Sequence, residues 1–442
     1  MTSEVLWTAP VAQGPVDALV RVPGSKSLTA RWMLLGAIAD EPMRLRGALV
    51  SRDTRLMRDA LERLGAVLSV QDGELQVTPI PPPSEAPAEP IEIHAGLAGT
   101  VMRFVPLLAA LHHGDVRFTG DDAALQRPMS PVIAVLRAQG VEVTEHGEAG
   151  RLPFTVHGKG HLAGGRIEVD ASESSQFVSN ALLVAARGDQ DLELVHRGAS
   201  LPSLPHIDMT METLRAVGVQ VSHEVDEDGL HLWRVARGTI APGSIVVEPD
   251  LSNAGPFLAA AMVTEGTIAI ADWPERTTQP GDAYRGLLEQ MGAEVWREDD
   301  SLCVSGTGTI MGIDADLSRT GEIAPTIAAL AALAESPSRL RGIGHLRGHE
   351  TDRLRALATE LTRLGARTVE LEDGLEINPS PLRGTVFETY EDHRMATAAA
   401  IIGLRVPDVR VVNVETTQKT LPDFVGMWLS MLHTDAPAGG TW

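Results

Sequence analysis

The chain has 442 residues, and its 59 Asp and Glu outnumber its 37 Lys and Arg, which gives a formal charge of −22 at pH 7. This charge excludes nonspecific binding to nucleic acid or to an anionic membrane surface. A hydrophobic content of 43% excludes extended disorder, and the length predicts two or more domains. The lone Cys303 predicts no disulfide and no zinc site, which fits a reducing cytoplasm, and the absence of any long apolar run predicts no membrane span.

A helix-like segment that ends in glycine and is followed by a β-branched strand occurs five times. Glycine just beyond a helix adopts the left-handed conformation that ends it. Each strand is followed by a turn-rich segment and a second strand, which predicts a hairpin. The glycines that end these helices are Gly65, Gly140, Gly218, Gly292 and Gly365. They lie 75, 78, 74 and 73 residues apart.

A second helix, rich in alanine and leucine, recurs once per repeat and begins at a polar or glycine-containing sequence. Helices that are apolar nearly all round are buried. Six such helices predict six βαβαββ repeats, three per domain, with the boundary near Glu248 and Pro249. The Pro-rich stretch 79–90 is predicted to be an exposed loop rather than a linker. The six helical segments are 25–39, 98–111, 174–186, 252–263, 322–334 and 392–403.

Cationic and polar side chains occur around the starts of these buried helices. Helix N-termini have free N–H groups and a positive dipole end, so they bind anions. Cations concentrated there in so acidic a chain predict an anionic small-molecule ligand. For any one arginine, exposure to solvent or pairing with a nearby Asp remains an alternative. The residues concerned are Lys26, Arg31, Arg103, Gln176 and Arg394.

Several familiar motifs are missing. The segment PGSKS at 23–27 lacks the upstream glycine of a P-loop, and the glycines at 342–348 do not have dinucleotide-fold spacing. The segment HETDR at 349–353 lacks the second histidine of a zinc protease, and no GxSxG sequence is present. These gaps argue against a nucleotide hydrolase, a dehydrogenase, a metalloprotease and a serine hydrolase.

Seven further segments occur in a fixed order along the chain. They are PGSKSLTAR (23–31), LAGTVMRF (97–104), LQRP (125–128), SSQF (174–177), HETDRL (349–354), EDHRM (391–395) and KTLPDF (419–424). Together they resemble the EPSP synthase family, the 3-phosphoshikimate 1-carboxyvinyltransferases. The resemblance covers about residues 20 to 430, and it implies a two-domain inside-out α/β barrel with three βαβαββ units in each domain. The family's chain crosses between domains twice, so residues 1–21 and 249–442 would form one domain and 22–248 the other.

The resemblance also implies which residues bind the two substrates. Arginine suits bidentate capture of carboxylate and phosphate oxygens. Taken alone, Ser203 in LPSLPH would be interpreted as a turn residue. The positions that match phosphoenolpyruvate binding are Lys26, Gly99, Thr100, Arg127, Gln176, Arg353, Arg394 and Lys419. The positions that match shikimate 3-phosphate binding are Lys26, Ser27, Arg31, Ser174, Ser175, Gln176, Ser203, Glu322 and His349.

The reaction implied by the resemblance is an addition and elimination in an interdomain cleft, with Glu322, Glu350 and Lys26 as catalytic residues. The 5-hydroxyl of shikimate 3-phosphate adds to phosphoenolpyruvate, and phosphate then leaves. The family needs no metal or organic cofactor, and we expect a cytoplasmic monomer with no nucleic-acid or membrane partner. Glyphosate competes with phosphoenolpyruvate in this family, and Gly99 predicts sensitivity to it because relatives with Ala there are tolerant.

Four positions depart from the family pattern. Leu97 and His345 stand where relatives often have Asn, His349 stands where they often have Lys, and Glu322 replaces a common Asp. Because the substrates are anionic, we predict that His349 carries a positive charge when they are bound.

Three other functions are alternatives. The related UDP-N-acetylglucosamine enolpyruvyl transferases typically have a cysteine just before the Arg-Pro step, whereas this chain has TGDDAALQRP there and its Cys303 lies in a predicted strand. A catalytically silent binding protein would be favoured by loss of a catalytic carboxylate or of Lys26, but these residues are present. A purely structural repeat protein would not need cations at its helix starts.

Overall fold

A computed structural model describes residues 6–82 and 89–433. Part of the predicted loop at 79–90 and the tail 434–442 therefore lie outside the described residues. The chain divides into two compact units, which we call the central unit (Gly24–Val247) and the terminal unit (Met1–Pro23 with Glu248–Trp442). No helix of the described residues combines the length and apolar character that a membrane span needs.

Two strands of the terminal unit come first, and the central unit follows with three repeats of the same element order. The two strands are β1 (Leu6–Thr8) and β2 (Ala18–Val20). The first repeat contains α1 (Lys26–Ala37), β3 (Met43–Arg46), α2 (Arg52–Arg63), β4 (Val67–Gln71) and β5 (Glu74–Thr78). The second contains β6 (Ile91–His94), α3 (Gly99–Ala109), β7 (His113–Thr119), α4 (Ser130–Ala138), β8 (Glu142–Glu145) and β9 (Phe154–Lys159). The third contains β10 (Gly165–Val169), α5 (Gln176–Val184), β11 (Leu192–His196), α6 (Leu204–Ala216), β12 (Val221–Val225) and β13 (His231–Val235), and β14 (Ser244–Val246) follows it.

The terminal unit continues with three further repeats. The fourth contains α7 (Leu251–Thr264), β15 (Thr267–Ile270), α8 (Tyr284–Gln290), β16 (Glu294–Glu298) and β17 (Ser301–Ser305). The fifth contains β18 (Asp314–Asp316), α9 (Ala324–Ala332), β19 (Ser338–Arg341), α10 (Arg353–Leu364), β20 (Arg367–Glu370) and β21 (Leu375–Asn378). The sixth contains β22 (Val386–Phe387), α11 (His393–Gly403), β23 (Arg410–Val412) and α12 (Phe424–Leu432).

Five of the repeats each have a four-stranded sheet with one parallel pair followed by an antiparallel hairpin. In the central unit the strand orders are β14-β3-β5-β4, β6-β7-β9-β8 and β10-β11-β13-β12. In the terminal unit two sheets have the orders β2-β15-β17-β16 and β18-β19-β21-β20. The parallel partner of β3 in repeat one is β14, and the parallel partner of β15 in repeat four is β2. Repeats one and four have thus exchanged their first strands.

The sixth repeat corrects the prediction of six equal βαβαββ units. Its sheet among the described residues is β1-β23-β22, and the antiparallel partner of β23 is the N-terminal strand β1 rather than a following hairpin. The helix α12 occupies the place after β23, and the described chain ends directly after it.

Each unit has its own hydrophobic core, built around the alanine- and leucine-rich helices. Every residue of α7, α9 and α11 is buried, as their uniformly apolar sequences predict. The five predicted helix-ending glycines all have positive φ, between 80° and 119°.

Candidate active site

The first predicted residues to come together are those around the start of α3 in the central unit. Gly99 is the first residue of α3, and no side chain caps this N-terminus. A Cβ atom on Gly99 would lie 3.2 Å from Nη1 of Arg127 and 3.4 Å from Oε1 of Gln176. Nη1 of Arg127 donates only a long hydrogen bond, 3.5 Å, to the Leu97 carbonyl. Helix N–H groups, a guanidinium and an amide thus surround one point, an arrangement suited to an anion.

Arg103 connects α3 to the segment that starts α5. Its Nη1 donates to Oε1 of Gln176 at 2.9 Å and to Oγ of Ser174 at 3.2 Å, and its Cζ lies 4.9 Å from the ring centroid of Phe177. The Gln176 N–H also donates to Oγ of Ser174 at 3.3 Å. Arg103 therefore orients two of the predicted binding residues, although the sequence indicated only that it is an unusual cation at a helix start.

Lys26 begins α1, and its Nζ forms an ion pair with Oδ2 of Asp53 at 3.2 Å. Asp53 is itself buried and lies in the first turn of α2. The buried carboxylate of Asp53 compensates the positive charge of Lys26 and holds the ammonium group at this position.

Arg31 lies inside the central unit, with only 1% of the residue exposed. Its Nε donates to Oγ1 of Thr210, its Nη1 to the Ser27 carbonyl and its Nη2 to the His206 carbonyl, each at 2.9 Å. The guanidinium thus joins α1 to α6. These bonds use three of the five guanidinium N–H groups, and the substrate contact that the resemblance implies for Arg31 stays a prediction.

Three further predicted residues lie at or near helix starts. Thr100 is buried at the second position of α3, and Ser175 is the buried N-cap of α5. Ser203, the N-cap of α6, has φ 53° and ψ 42°. This left-handed conformation is costly for a residue other than glycine and clusters at functional sites.

In the terminal unit the central group is Arg353, the first residue of α10. Its Nε and Nη2 donate to the carboxylate of Asp392 at 2.7 and 3.2 Å, and its Nη2 also donates to Oε2 of Glu350 at 2.9 Å. Burial alone would lower the pKa of Arg353, but Asp392 and Glu350 outweigh it and raise the pKa above the usual arginine value. The guanidinium is therefore permanently charged and fixed in orientation.

Glu350 lies between two cations. Nζ of Lys419 donates to Oε1 of Glu350 at 2.6 Å, while Arg353 binds the other oxygen. Lys419 and Arg353 are both buried. A carboxylate held between two cations can accept and return a proton while the cations bind an anionic ligand.

Glu322 and Arg394 meet at the start of α7. Oγ of Ser252 is hydrogen-bonded to Oε1 of Glu322, and Nη1 of Arg394 donates to the Ser252 carbonyl at 2.9 Å. The Arg394 N–H donates to Oδ1 of Asp392 at 2.9 Å, so Asp392 both caps α11 and orients Arg353. Asp392 was not predicted as a site residue from the sequence. The signal that could have identified it is its position two residues before Arg394 in EDHRM.

The ring of His349 accepts a hydrogen bond at Nδ1 from Nη1 of Arg353, at 3.1 Å. A guanidinium can only donate, so Nδ1 has no proton and the imidazole is neutral in this arrangement. His345 lies edge-on to the same ring, with centroids 5.8 Å apart. The positive charge predicted for His349 with substrates bound would require this contact with Arg353 to be given up.

The family model of EPSP synthase (3-phosphoshikimate 1-carboxyvinyltransferase) matches residues 11–428. The chain belongs to the EPSP synthase family. A 3-phosphoshikimate 1-carboxyvinyltransferase of Kocuria rhizophila is 52% identical over 97% of both chains. One of Bifidobacterium longum is 49% identical, covering 97% of this chain and 98% of its own.

Two solved structures have the same fold. An EPSP synthase of Acinetobacter baumannii superposes with a TM-score of 0.77 at 25% identity, covering 96% of this chain and 97% of its own. The enolpyruvyl transferase NikO of Streptomyces tendae superposes with a TM-score of 0.72 at 18% identity, over 96% and 97% of the two chains. The mixed α/β fold is therefore that of EPSP synthases.

Within each unit, predicted EPSP synthase residues contact one another. In the central unit these are Gly99, Arg127, Gln176 and Ser174, and separately Ser27 and Arg31. In the terminal unit they are His349, Glu350, Arg353 and Lys419. Supporting residues that the sequence did not indicate are Asp53, Thr210 and Asp392.

Proposed function

We propose that this chain transfers the enolpyruvyl (carboxyvinyl) group of phosphoenolpyruvate to the 5-hydroxyl of shikimate 3-phosphate and releases phosphate. Membership in the EPSP synthase family supports this reaction. The observation that carries it is Glu350 between Lys419 and Arg353, because the reaction needs a proton carrier beside cations that hold phosphoenolpyruvate.

The two chemical steps need one proton to be given to C3 and one to be taken back from it. In the addition, the 5-hydroxyl oxygen bonds to C2 of phosphoenolpyruvate and loses its proton, while C3 gains one. In the elimination, C3 loses a proton and the bond from C2 to the phosphate oxygen breaks. We assign these proton transfers to Glu350, Glu322 and Lys26. Lys419 and Arg353 favour the ionised form of Glu350. When they bind phosphoenolpyruvate instead, Glu350 would lose the contacts with these two cations.

Binding of the substrates is assigned to the groups around the helix starts. Gly99, Thr100, Arg127 and Gln176 surround an uncapped helix N-terminus, which suits an anionic group of phosphoenolpyruvate. The hydroxyls of Ser27, Ser174, Ser175 and Ser203 suit shikimate 3-phosphate. We assign Arg31 to shikimate 3-phosphate as well, and its Nη1 also positions Ser27 through the Ser27 carbonyl.

The remaining parts of the proposal concern the fold and setting of the enzyme. We propose an inside-out α/β arrangement, which the burial of the helices supports, while the six sheets of the described residues remain separate. We further propose domain junctions at 21/22 and 248/249, a monomer, a cytoplasmic location and catalysis without metal or organic cofactor.

Phosphate release from a mixture of phosphoenolpyruvate and shikimate 3-phosphate tests the function. We expect turnover with this acceptor and none with UDP-N-acetylglucosamine in its place. Glu350→Gln is expected to lower kcat by about 10²–10⁴-fold because it cannot carry the proton. The matched control Glu289→Gln, on the exposed face of α8, is expected to keep full activity. The absence of phosphate release with shikimate 3-phosphate would refute the proposal.

A further inference from the structure

His196 lies at the carboxyl end of β11, between two loops assigned to shikimate 3-phosphate. β10 and β11 are parallel, and Val169 pairs with His196 at their shared end. The loop that follows β10 contains Ser174 and Ser175, and the loop that follows β11 contains Ser203. Ligands of α/β proteins bind outside the carboxyl ends of parallel strands, where such loops meet.

The imidazole of His196 spans these two loops. Its Nδ1 accepts a hydrogen bond from the Ala171 N–H at 3.2 Å, and its Nε2 donates to the Ser200 carbonyl at 3.0 Å. A backbone N–H can only donate and a carbonyl can only accept, so the ring is neutral with its proton on Nε2. Since only 4% of the residue is exposed, water cannot readily replace either bond.

The two loops are also packed directly against each other. A Cβ atom on Gly198 would lie 2.1 Å from Oγ of Ser172, 2.2 Å from Oδ1 of Asp170 and 2.5 Å from Cε1 of His196. No side chain therefore fits at Gly198. The positive φ of Ser203 at the far end of this loop persists only if its surroundings hold it.

We propose that His196 is a positioning residue for shikimate 3-phosphate. Its two hydrogen bonds fix the loop of Ser174 and Ser175 relative to the loop of Ser203, so that their hydroxyls are preorganised for one ligand. This inference rests on the proposed function. Because His196 joins backbone groups of these two loops, replacing it changes the affinity for shikimate 3-phosphate. The cations of the terminal unit stay unchanged.

Three substitutions separate the two bonds. His196→Phe keeps a ring and removes both bonds, His196→Asn keeps an acceptor near Nδ1, and His196→Gln keeps a donor near Nε2. The matched control is His157→Phe, because His157 in β9 also bonds through both ring nitrogens, to Asp115 at 2.7 Å and to Thr144 at 2.8 Å. The dissociation constant for shikimate 3-phosphate is measured by calorimetry, together with the KM for phosphoenolpyruvate and the thermal midpoint.

We expect His196→Phe to weaken shikimate 3-phosphate binding by roughly tenfold, as loss of two hydrogen bonds of about 0.5–1.5 kcal/mol each allows. His196→Asn and His196→Gln should lose less, and they decide the matter if the Phe variant does not fold. His157→Phe should lower the thermal midpoint and keep the affinity. The inference is overturned if all three His196 variants bind shikimate 3-phosphate as the wild type does. A wild type that does not bind this ligand would instead overturn the proposed function itself.

Discussion

Arg353 illustrates how a single buried cation is made available to a ligand. Its guanidinium is held by Asp392 through Nε and Nη2, while Nη1 contacts His349 and Nη2 also contacts Glu350. An unpaired charge at such a depth would be strongly destabilising, so Asp392 has to be present before any substrate arrives. Glu350 is the partner that a substrate anion can replace.

Gly99 is the residue at which we expect discrimination between phosphoenolpyruvate and glyphosate. The methyl group of Gly99→Ala would contact the Arg127 guanidinium at 3.2 Å and Gln176 at 3.4 Å, so one of these side chains must shift. We predict that the inhibition constant for glyphosate rises at least about tenfold, or about 1.4 kcal/mol, and that the KM for phosphoenolpyruvate rises less.

Steady-state kinetics with both ligands checks this prediction. Gly286→Ala is the control, because its helix position in α8 is exposed and a Cβ there meets no atom within 4 Å. An equal loss of affinity for both ligands would contradict the predicted selectivity.

His349 is the residue at which the pH dependence of turnover should differ from that of relatives with Lys. If substrate anions give the ring a positive charge, turnover falls on the alkaline side as the imidazolium loses its proton. We predict that His349→Lys keeps its activity to higher pH than the wild type, as measured by kcat between pH 6 and 10. Superimposable profiles would show that the neutral ring bound to Arg353 persists with substrates.

At the scale of elements, α10 fixes the loop that precedes α11. The fully buried carboxylate of Glu360 accepts hydrogen bonds from the Tyr390 hydroxyl at 2.7 Å and from the Glu388 N–H at 3.1 Å. Tyr390 and Glu391 have positive φ, 53° and 58°, directly before Asp392. The strained turn that aims Asp392 is thus held from α10.

This contact predicts an alkaline loss of stability. Although 40% of Tyr390 is exposed, its partial burial and the hydrogen bond to Glu360 raise the pKa of its hydroxyl to about 12 from a usual 10. A phenol with a raised folded-state pKa stabilises the fold fully below pH 10 and ceases to do so as the pH rises through about 12. Above pH 10, the free energy of unfolding should therefore fall less steeply with pH for Tyr390→Phe than for the wild type. Urea titrations measure this free energy at each pH. Parallel pH dependences of the two proteins would exclude this role for Tyr390.

The elements that the sequence predicts well are those specified by local pattern. Apolar composition predicts the buried helices, and each glycine after a helix has the expected left-handed conformation. The exchange of β2 and β14 has no local signal, because a parallel pair joins distant segments. Arg31 shows the same limit at the site, since its partners Thr210 and His206 lie far along the chain. The resemblance identifies positions but not the hydrogen bonds made there.

At the scale of the whole molecule, cations assigned to the same ligands belong to different units. Among the positions that match shikimate 3-phosphate binding, Lys26 belongs to the central unit and His349 belongs to the terminal unit. A ligand that binds both shifts the population toward the arrangement in which both contact it, by its differential affinity. We predict that shikimate 3-phosphate lowers the radius of gyration measured by small-angle scattering. Shikimate without the phosphate is the control, and an unchanged radius with shikimate 3-phosphate would contradict the prediction.

The pairing of β1 with β23 also has a consequence for the order in which the chain folds during synthesis. Leu6 lies opposite Val412, so β1 has to wait for a partner about 400 residues later. At about 5–20 residues per second the wait is roughly 20–80 s. The central unit contains its own closing strand, β14, and can complete its sheets during that time. β1 is therefore translated long before it can pair with β23, and because it has only three residues, it offers other nascent chains a short edge to pair with.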